Sequence, residues 1–409
     1  MRRLILLLAF TFLALPQGAP ADWPQFLGPG RDGVYRGPAL SESWTTPRIL
    51  WQKAVGAGFA GPVAAQGRVI LFHRASNREI VEALDAATGV SQWKYDYPTT
   101  YRDDFGFDEG PRAAPVIAGG IVYTFGAEGV LNALDFTTGK RIWGEDTRVR
   151  FKVAKGFFGA GGSPLVDEGR LIANVGGPEA GIVAFDSKTG KVLWTATSDE
   201  ASYSSGVVAT IGGRRTAVFL TRTNLLGLDP ATGKVLFQRR WRALQAASVN
   251  AATPIVVNDP AGALIFVSAE YGPGAGVLRV EGSNLTPLWT SDETLNNHYA
   301  TSVYRDGTLY GFHGRQEYGQ SLRAVDLRTG KVRWTQERFL AGSLILAGER
   351  LLILRETGEL VLAAASPTGY QQLTRAFVLS GPVRPFPALA DGRLYARNEK
   401  LLVCVDLRK

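Results

Sequence analysis

One loop of the sequence carries several carboxylates close together, including Asp108 and Glu109, with Arg112 beside them. Carboxylate oxygens at such a position could bind a hard cation. The spacing matches no established metal-binding loop, and the three histidines of the chain are too scattered for a zinc site. We therefore predict a solvated acidic loop and no metal site.

A second group of polar residues stands directly before segments that we predict to be inner strands. Its members are Tyr203, Asn250, Asn297, His298 and Tyr299. A buried polar group without a partner costs roughly 1–3 kcal/mol, so these side chains must pair with one another, hold waters or face a ligand. Structural pairing and ligand contact both stay open.

Charged residues occupy matching positions in a third group of loops, between the second and third predicted strands of successive repeats. They include Arg222, Glu270, Arg315 and Arg355. The planar guanidinium group of arginine suits a carboxylate or a phosphate, which predicts a small anionic ligand such as a sugar acid or a peptide terminus. The alternative is that these arginines and glutamates pair with one another.

A repeated hairpin must position these loops. Its first clear copy contains Asp85, Gly89 and Trp93, with four residues from Asp to Gly and four more to the aromatic ring. The spacing recurs at Asp135, Gly139 and Trp143, at Asp186, Gly190 and Trp194, at Asp229 and Gly233, and at Asp326, Gly330 and Trp334. The Asp can accept hydrogen bonds from the turn, the Gly accepts a positive φ, and the indole can bury roughly 200 Å² against the next repeat.

Each hairpin follows a Gly and a short apolar strand, and eight such units occur at the 40 to 50 residue period of propeller blades. The fifth and seventh hairpins are degenerate. The eighth unit ends near Val405 without an outer strand, whereas the segment around Trp51 has the outer-strand pattern without a preceding hairpin. We predict an all-β, eight-bladed β-propeller of four-stranded antiparallel blades, whose last blade is closed by this N-terminal strand.

The blade topology sorts the loops into two faces. The connection from an outer strand to the next inner strand and the connection between the second and third strands emerge together, on a face that we call the mouth. The Asp-Thr-Gly turns lie on the opposite face and are predicted to be structural. All three groups of candidate site residues therefore converge on the mouth.

The N-terminus has the features of an export signal. Two arginines precede a short apolar run, and Ala19-Pro20-Ala21 has the form that a signal peptidase cuts. We predict a signal peptide over residues 1–21, an N-terminal extended segment over 22–47 and the propeller over 48–409. The apolar run is too short to span a bilayer and no lipid-anchor cysteine follows it, which predicts a secreted or periplasmic monomer without a transmembrane anchor.

The composition excludes two further classes. The charge of +8 is spread along the chain without a Lys/Arg-rich block, so we predict no nucleic-acid binding. Cys404 is the only cysteine, so no intrachain disulfide can form.

At the repeated hairpin the chain resembles the quinoprotein alcohol dehydrogenase-like propellers, whose tryptophan-docking motif is A-x-D-x-x-T-G-x-x-x-W. The resemblance covers residues 48–409, and the segment from Asp22 to Gly33 looks like the opening of secreted bacterial propellers of the same type. Catalytic relatives use pyrroloquinoline quinone, a metal ion, a catalytic Asp and, in alcohol dehydrogenases, two adjacent cysteines. This chain lacks the cysteine pair and a C-x-x-C-H haem motif.

The resemblance implies three functions. The leading one is a non-catalytic extracytoplasmic scaffold that binds a protein or a small anionic ligand at the mouth, with no assigned catalytic residue. The second is a dehydrogenase for sugars or alcohols that uses pyrroloquinoline quinone, with His298 or Asp108 as base and Arg315 as a quinone contact. The third is a scaffold in outer-membrane protein assembly, by resemblance to the barrel-assembly propeller lipoprotein.

Overall fold

The computed structural model describes residues 21–156, 158–242, 245, 248 and 250–409. These residues form eight antiparallel four-stranded blades around a central channel, which confirms the predicted fold class. The predicted signal peptide lies outside the described residues except for Ala21, so export stays a prediction.

The strands follow one another as a series of meanders. The N-terminal segment holds β1 (Val34–Tyr35) and β2 (Arg48–Ala54). Blade 1 contains β3 (Val63–Ala65), β4 (Arg68–Ala75), β5 (Arg78–Asp85) and β6 (Ser91–Pro98), and blade 2 contains β7 (Val116–Ala118), β8 (Ile121–Phe125), β9 (Val130–Asp135) and β10 (Arg141–Asp146). Blade 3 contains β11 (Leu165–Asp167), β12 (Arg170–Gly177), β13 (Ala180–Asp186) and β14 (Val192–Ala196), and blade 4 contains β15 (Val207–Ile211), β16 (Arg214–Leu220), β17 (Asn224–Leu228) and β18 (Val235–Arg240).

The second half of the ring repeats the pattern. Blade 5 contains β19 (Ile255–Val257), β20 (Leu264–Ala269), β21 (Gly274–Glu281) and β22 (Asn284–Ser291), and blade 6 contains β23 (Val303–Arg305), β24 (Thr308–His313), β25 (Ser321–Asp326) and β26 (Val332–Gln336). Blade 7 contains β27 (Gly342–Ala347), β28 (Arg350–Arg355), β29 (Glu359–Ala364) and β30 (Gln372–Phe377), and blade 8 contains β31 (Ala388–Ala390), β32 (Arg393–Arg397) and β33 (Leu401–Asp406). In every blade the first strand lines the channel, and in blades 1 to 7 the last strand lies outermost.

Blade 8 receives its outer strand from the beginning of the propeller. Strand β2 pairs antiparallel with β33, and this pairing places Trp51 opposite Cys404 and Ile49 opposite Val405. The predicted closure is therefore confirmed. Because β2 covers the outer edge of β33, this long strand of the last blade is paired on both sides.

The segment before β2 crosses the channel. Trp23 pairs with Ala64 on the inner strand of blade 1, whereas β1 adds a parallel fifth strand to blade 7 through Val34 and Leu346. Trp23 and Leu27 are completely buried between these contacts. Residues 21–36, which we call the plug, therefore fill the channel from the face opposite the mouth.

Arg31 is the residue of the plug that reaches furthest towards the mouth. Its guanidinium group donates to the backbone carbonyls of Ser163, Pro164 and Gly206, which lie at the mouth-side ends of the inner strands of blades 3 and 4. Its Nε donates to Gln25 at 2.9 Å. Burial lowers the pKa of Arg31 to about 9, since the charge is desolvated and faces the dipoles of backbone carbonyls.

The repeated hairpin has one geometry in blades 1, 2, 3 and 6. In blade 1 the carboxylate of Asp85 accepts from the backbone N–H of Ala87 and from both the N–H and the hydroxyl of Thr88. These hydrogen bonds hold the pKa of Asp85 below its usual value. Gly89 takes a φ of 73°, so the turn needs the residue types that the motif supplies.

The indoles on the outer strands contact the turn of the next blade. Trp143 of blade 2 donates to the carbonyl of Ser187 in blade 3 at 2.9 Å, and its ring covers Gly190. Equivalent bonds join Trp51 to Ala86, Trp93 to Phe136, Trp194 to Pro230, Trp289 to Leu327 and Trp334 to Ser366. The indoles therefore form a belt of contacts between neighbouring blades.

Helices are minor features of the described part of the chain: α1 (Thr147–Phe151), capped by Asp146, and a 3₁₀ turn (Gln316–Tyr318). Within the residues described, neither is long and apolar enough to cross a membrane.

Candidate functional site

The loop between blades 1 and 2 is organised by a buried carboxylate. Asp103 has a fully buried side chain and accepts from the backbone N–H groups of Phe105, Phe107 and Asp108, each within 3.1 Å. Arg112 donates to the same carboxylate at 3.1 Å. The loop is therefore ordered from within, like an Asx turn extended over several residues.

The acidic residues Asp108 and Glu109 attach this loop to neighbouring parts of the protein. Asp108 accepts from the N–H groups of Gly58 and Gly110 at 2.9 and 2.6 Å. Glu109 pairs with Arg102 at 3.0 Å and with Arg74 at 3.5 Å. Protein groups thus bind both carboxylates. This gives a structural role of the acidic loop a direct physical basis.

The ordered loop presents two aromatic rings to solvent. Phe105 and Phe107 are 51% and 53% exposed, and both rings contact Phe158, with centroid distances of 5.2 and 6.2 Å. We call Phe105, Phe107 and Phe158 the aromatic patch. Exposed large apolar side chains that stand together on an ordered loop are typical of interaction surfaces.

Arginines flank the aromatic patch. The guanidinium carbon of Arg112 lies 5.7 Å from the ring of Phe158, and that of Arg384 lies 5.7 Å from the ring of Phe107. Arg384 also donates to Glu356 at 3.1 Å. The patch is therefore apolar at its centre, and arginines that are paired with carboxylates lie at its edge.

A chain of polar contacts continues across the mouth from Glu356. The hydroxyl of Tyr299 donates to Glu356 at 2.5 Å, and the rings of Tyr299 and His298 lie 5.8 Å apart. His298 Nε2 is 2.8 Å from the hydroxyl of Tyr271, and Arg315 lies over the Tyr271 ring at 4.9 Å. Burial lowers the pKa of His298, which favours the neutral ring within this contact chain.

The remaining predicted residues of blades 5 to 7 have structural partners or lie beside this chain. Asn297 is fully buried, donates to the carbonyl of Phe312 and accepts from the hydroxyl of Ser302. Arg355 donates to Glu359 at 2.5 Å. Glu270 is half-buried next to Tyr271, and desolvation raises its pKa.

A cavity of about 340 Å³ lies off the axis, between the mouth loops of blades 2, 3 and 4. We call it the side cavity. Tyr203, Arg222 and Asn250 all line it, so the structure brings three of the predicted residues together. The Asn250 amide donates to the carbonyls of Thr221 and Trp241, and the Tyr203 hydroxyl accepts from the N–H of Phe158.

The predicted site residues therefore divide into three places rather than one. Asp108, Glu109 and Arg112 build the loop beneath the aromatic patch, Tyr203, Arg222 and Asn250 line the side cavity, and Glu270, His298, Tyr299 and Arg315 stand over blades 5 and 6. Sequence reasoning gave no functional role to Phe105, Phe107 and Arg384. The two phenylalanines inside a polar loop were the one local signal available.

Within the described ranges, no three or more His, Cys, Asp or Glu side chains gather in a way that could hold a metal ion. All three histidines instead accept a backbone N–H through Nδ1: His73 from Gly56, His298 from Gln316 and His313 from Asn296. Each imidazole, in its neutral form, therefore stabilises the backbone of a loop by accepting this hydrogen bond.

This arrangement predicts acid sensitivity. Burial and the nearby Arg323 lower the pKa of His313 to about 4, from 6.5 in an unfolded chain. The neutral ring contributes stability that is complete above pH 6.5 and is lost as the pH falls towards 4. After discounting for solvent screening, we expect about 1–2 kcal/mol from this group.

The test uses urea unfolding of the wild-type protein and His313→Asn, which keeps an acceptor but cannot titrate. The stability advantage of the wild type should shrink by about 1–2 kcal/mol between pH 7 and pH 4.5. A constant difference between the two proteins over this range would contradict the assignment. Other acid-sensitive groups affect both proteins equally and cancel.

Known proteins resemble the chain in two ways. The chain is 38% identical to quinohemoprotein alcohol dehydrogenase ADH-IIG of Pseudomonas putida over 122 residues, which are 28% of this chain and 16% of the dehydrogenase. It is 24% identical to the outer membrane protein assembly factor BamB of Yersinia pestis over 296 residues, which are 65% of this chain and 69% of that protein. The matches to quinone-dependent alcohol dehydrogenases cover less than a fifth of those proteins' own length.

The fold has relatives among solved structures. The quinohemoprotein alcohol dehydrogenase of Comamonas testosteroni superimposes with a TM-score of 0.70 at 17% identity, over 95% of this chain and 81% of that chain. This likeness shows the fold alone. A family model described as outer membrane protein assembly factor BamB matches residues 36–143 and 77–336, which together exceed half of the sequence. On this match, and on the eight blades closed by β2, the chain belongs to the PQQ-like propeller family of outer membrane protein assembly factor BamB.

Proposed function

We propose that the protein is a non-catalytic extracytoplasmic scaffold that docks a protein partner on its mouth through the aromatic patch. The observation that carries the proposal is the half-exposed pair Phe105 and Phe107, held outwards by the buried Asp103. An ordered loop loses little conformational entropy on binding, so its exposed rings can act as anchors for a partner. Membership of a family named for protein assembly agrees with this function.

The arginines at the edge fit the same role. Arg112 is already paired with Asp103, and Arg384 is paired with Glu356, so neither brings an uncompensated charge into an interface. The guanidinium groups of such pre-formed pairs can donate a further hydrogen bond to a partner without the large cost of desolvating a lone charge. A partner segment with apolar side chains and an acidic or polar border would match the patch.

A quinone-dependent dehydrogenase is the rival proposal, because the first relatives have that activity. Its proposed base and cofactor contact are already occupied: His298 contacts Tyr271 and Gln316, Asp108 binds two backbone N–H groups, and Arg315 stacks on Tyr271. These side chains do not form a donor set for the metal ion that such a cofactor requires. The geometry therefore favours the scaffold.

The decisive experiment places a photo-crosslinking amino acid at position 105 or at position 377 in the native host. Phe377 is 69% exposed on the outer strand of blade 7, which makes it a matched control. We expect a discrete protein adduct from position 105 that position 377 does not give. Similar adducts from both positions would contradict a docking role for the patch.

Affinity measurements with the captured partner give the quantitative prediction. Phe105→Ser with Phe107→Ser should weaken binding by at least about 30-fold, since a single interface anchor already contributes about 2 kcal/mol or more. Phe377→Ser should leave the affinity unchanged. A separate assay tests the rival proposal. Reduction of a dye by the purified protein with pyrroloquinoline quinone, calcium and an alcohol or aldose would contradict the scaffold function and support the dehydrogenase.

A further inference from the structure

The side cavity has the size and shape of a small-molecule site. Its volume of about 340 Å³ falls in the range of ligand pockets, about 300–1,000 Å³. The apolar part of the cavity wall includes Phe125, Val153 and Val175. Gly176 has a φ of 84°, and a Cβ there would lie 2.4 Å from the backbone nitrogen of Ala201, so these two lining segments can approach each other closely only because residue 176 is glycine.

Charged groups surround this apolar wall. Four cationic residues line the cavity, Arg102, Arg148, Lys155 and Arg222, and each forms an ion pair, with Glu109, Glu128, Asp104 and Glu200 respectively. Two of these carboxylates, Glu128 and Glu200, line the cavity themselves. The cavity therefore combines an apolar interior with paired charges at its rim.

One of the two carboxylates is occupied by the protein itself. Glu128 accepts from the hydroxyls of Thr99 and Thr100 and from the backbone N–H of Thr100, all within 2.9 Å. Its charge is stabilised by these donors rather than directed at an incoming group. Glu200 is the remaining carboxylate that could oppose an anion.

Glu200 and Arg222 differ strongly in exposure. Their side chains form an ion pair at 2.7 Å, but Arg222 is only 19% exposed, whereas Glu200 is 60% exposed. An exposed carboxylate can return to water at little cost, because surface ion pairs contribute little. The mostly shielded guanidinium group of Arg222 can then exchange Glu200 for the anionic group of a ligand, with which it forms a partly desolvated hydrogen bond.

We propose that the side cavity binds a small amphiphilic anion, with an apolar or aromatic body against Phe125, Val153 and Val175 and a carboxylate, sulfonate or phosphate head on Arg222. This site goes beyond the proposed docking function and does not depend on it. The aromatic patch and the side cavity share no lining residue among those that carry the two proposals.

The experiment uses two dyes with the same ring system. 8-Anilinonaphthalene-1-sulfonate carries an anionic head, and N-phenyl-1-naphthylamine is its neutral counterpart. Fluorescence titration of the full protein should show saturable 1:1 binding of the sulfonate. Arg222→Gln should weaken it by at least about tenfold, because a charge-assisted hydrogen bond is lost. The affinity of the neutral dye should change less than twofold.

Two further variants sharpen the test. Glu200→Gln removes the competing carboxylate and should strengthen binding of the sulfonate by about 2- to 5-fold. Arg305→Gln is the matched control, because Arg305 forms an ion pair with Glu349 at 2.8 Å with similar exposures, 25% and 73%, on the opposite face of the ring. This control should bind both dyes like the wild-type protein.

Competition by octanoate and octyl phosphate distinguishes a carboxylate from a phosphate as the preferred head group. The proposal is overturned if Arg222→Gln and Arg305→Gln bind the sulfonate equally well, or if neither octyl anion displaces it. It is also overturned if Phe105→Ser with Phe107→Ser abolishes dye binding while Arg222→Gln retains it, since the dye then occupies the aromatic patch. Unchanged thermal unfolding of each variant shows that the ring is intact.

Discussion

Replacing both Trp51 and Gln52 by proline should open the ring and lower the free energy of unfolding by about 4 kcal/mol or more. Loss of a large, partly buried ring costs about 3 kcal/mol, and each lost ladder hydrogen bond adds about 1 kcal/mol. Alternate residues of a strand direct their N–H groups to the same neighbour, so two consecutive prolines remove at least one bond between β2 and β33. The exposed edge of β33 should then promote self-association.

The matched control places the same two prolines at Leu193 and Trp194, on the outer strand of blade 3. This strand is joined to its blade by a hairpin, so the damage there is local. Light scattering should show a monomer for the control and larger species for the closure variant. Hydrogen exchange should increase in blades 8 and 1 for the closure variant, but in blade 3 for the control. Equal stability and equal association of the two variants would contradict closure by β2.

Replacement of Trp143 by alanine should lower the free energy of unfolding by about 3–5 kcal/mol, the typical cost of removing a buried aromatic ring. Trp143 is one of the most buried indoles of the belt, it stacks on Phe185 with ring centroids 6.2 Å apart, and its N–H binds Ser187. Chemical denaturation measures the loss. Phe377→Ala is the control for an exposed ring and should cost less than about 0.5 kcal/mol.

A double-mutant cycle with Gly190 isolates the contact between the blades. A Cβ on Gly190 would lie 2.7 Å from the indole of Trp143, and the φ of this glycine is 72°. Gly190→Ala should therefore be costly in the wild-type protein and cost only its backbone strain, about 1 kcal/mol, when Trp143 is already alanine. Additive effects of the two substitutions would show that the ring does not rest on this turn.

The blades could be predicted because each hairpin encodes its own turn. Asp85, Gly89 and Trp93 have roles that depend on a few neighbouring residues, so their spacing is readable without a structure. The degenerate hairpins had no explanation in the sequence, whereas the structure gives one. Blade 4 has Phe237 in place of the indole, and it faces blade 5, whose turn lacks the Thr-Gly pair.

The second degenerate position follows the same rule. Leu373 of blade 7 faces blade 8, where β33 and β2 come from opposite ends of the propeller and no hairpin turn joins them. The aromatic ring and the turn that would receive it are lost together. Each deviation in the sequence is therefore a property of a pair of blades, which a reading of one repeat at a time could not reveal.

The site was only partly predictable for a related reason. The sequence placed His298, Arg222 and Asp108 on the mouth, but their partners come from distant loops. Arg384 reaches Phe107, and Tyr271 reaches His298, only because the ring brings different blades together. Propensity and spacing describe neighbours in the chain, whereas these contacts depend on the curvature of the whole ring.

The plug has a practical consequence for the orientation of the molecule. Ala21 binds Asp391, and the backbone N–H of Gln66 binds Asp22, so both residues lie at turns on the side away from Phe105 and Phe107. Strand β33 also runs towards that side, which places Lys409 there. If the protein is attached to a sensor chip, a bead or a fluorescent partner at Ala21 or at Lys409, the docking loops should point away from the attachment. Every immobilised copy should then face the analyte.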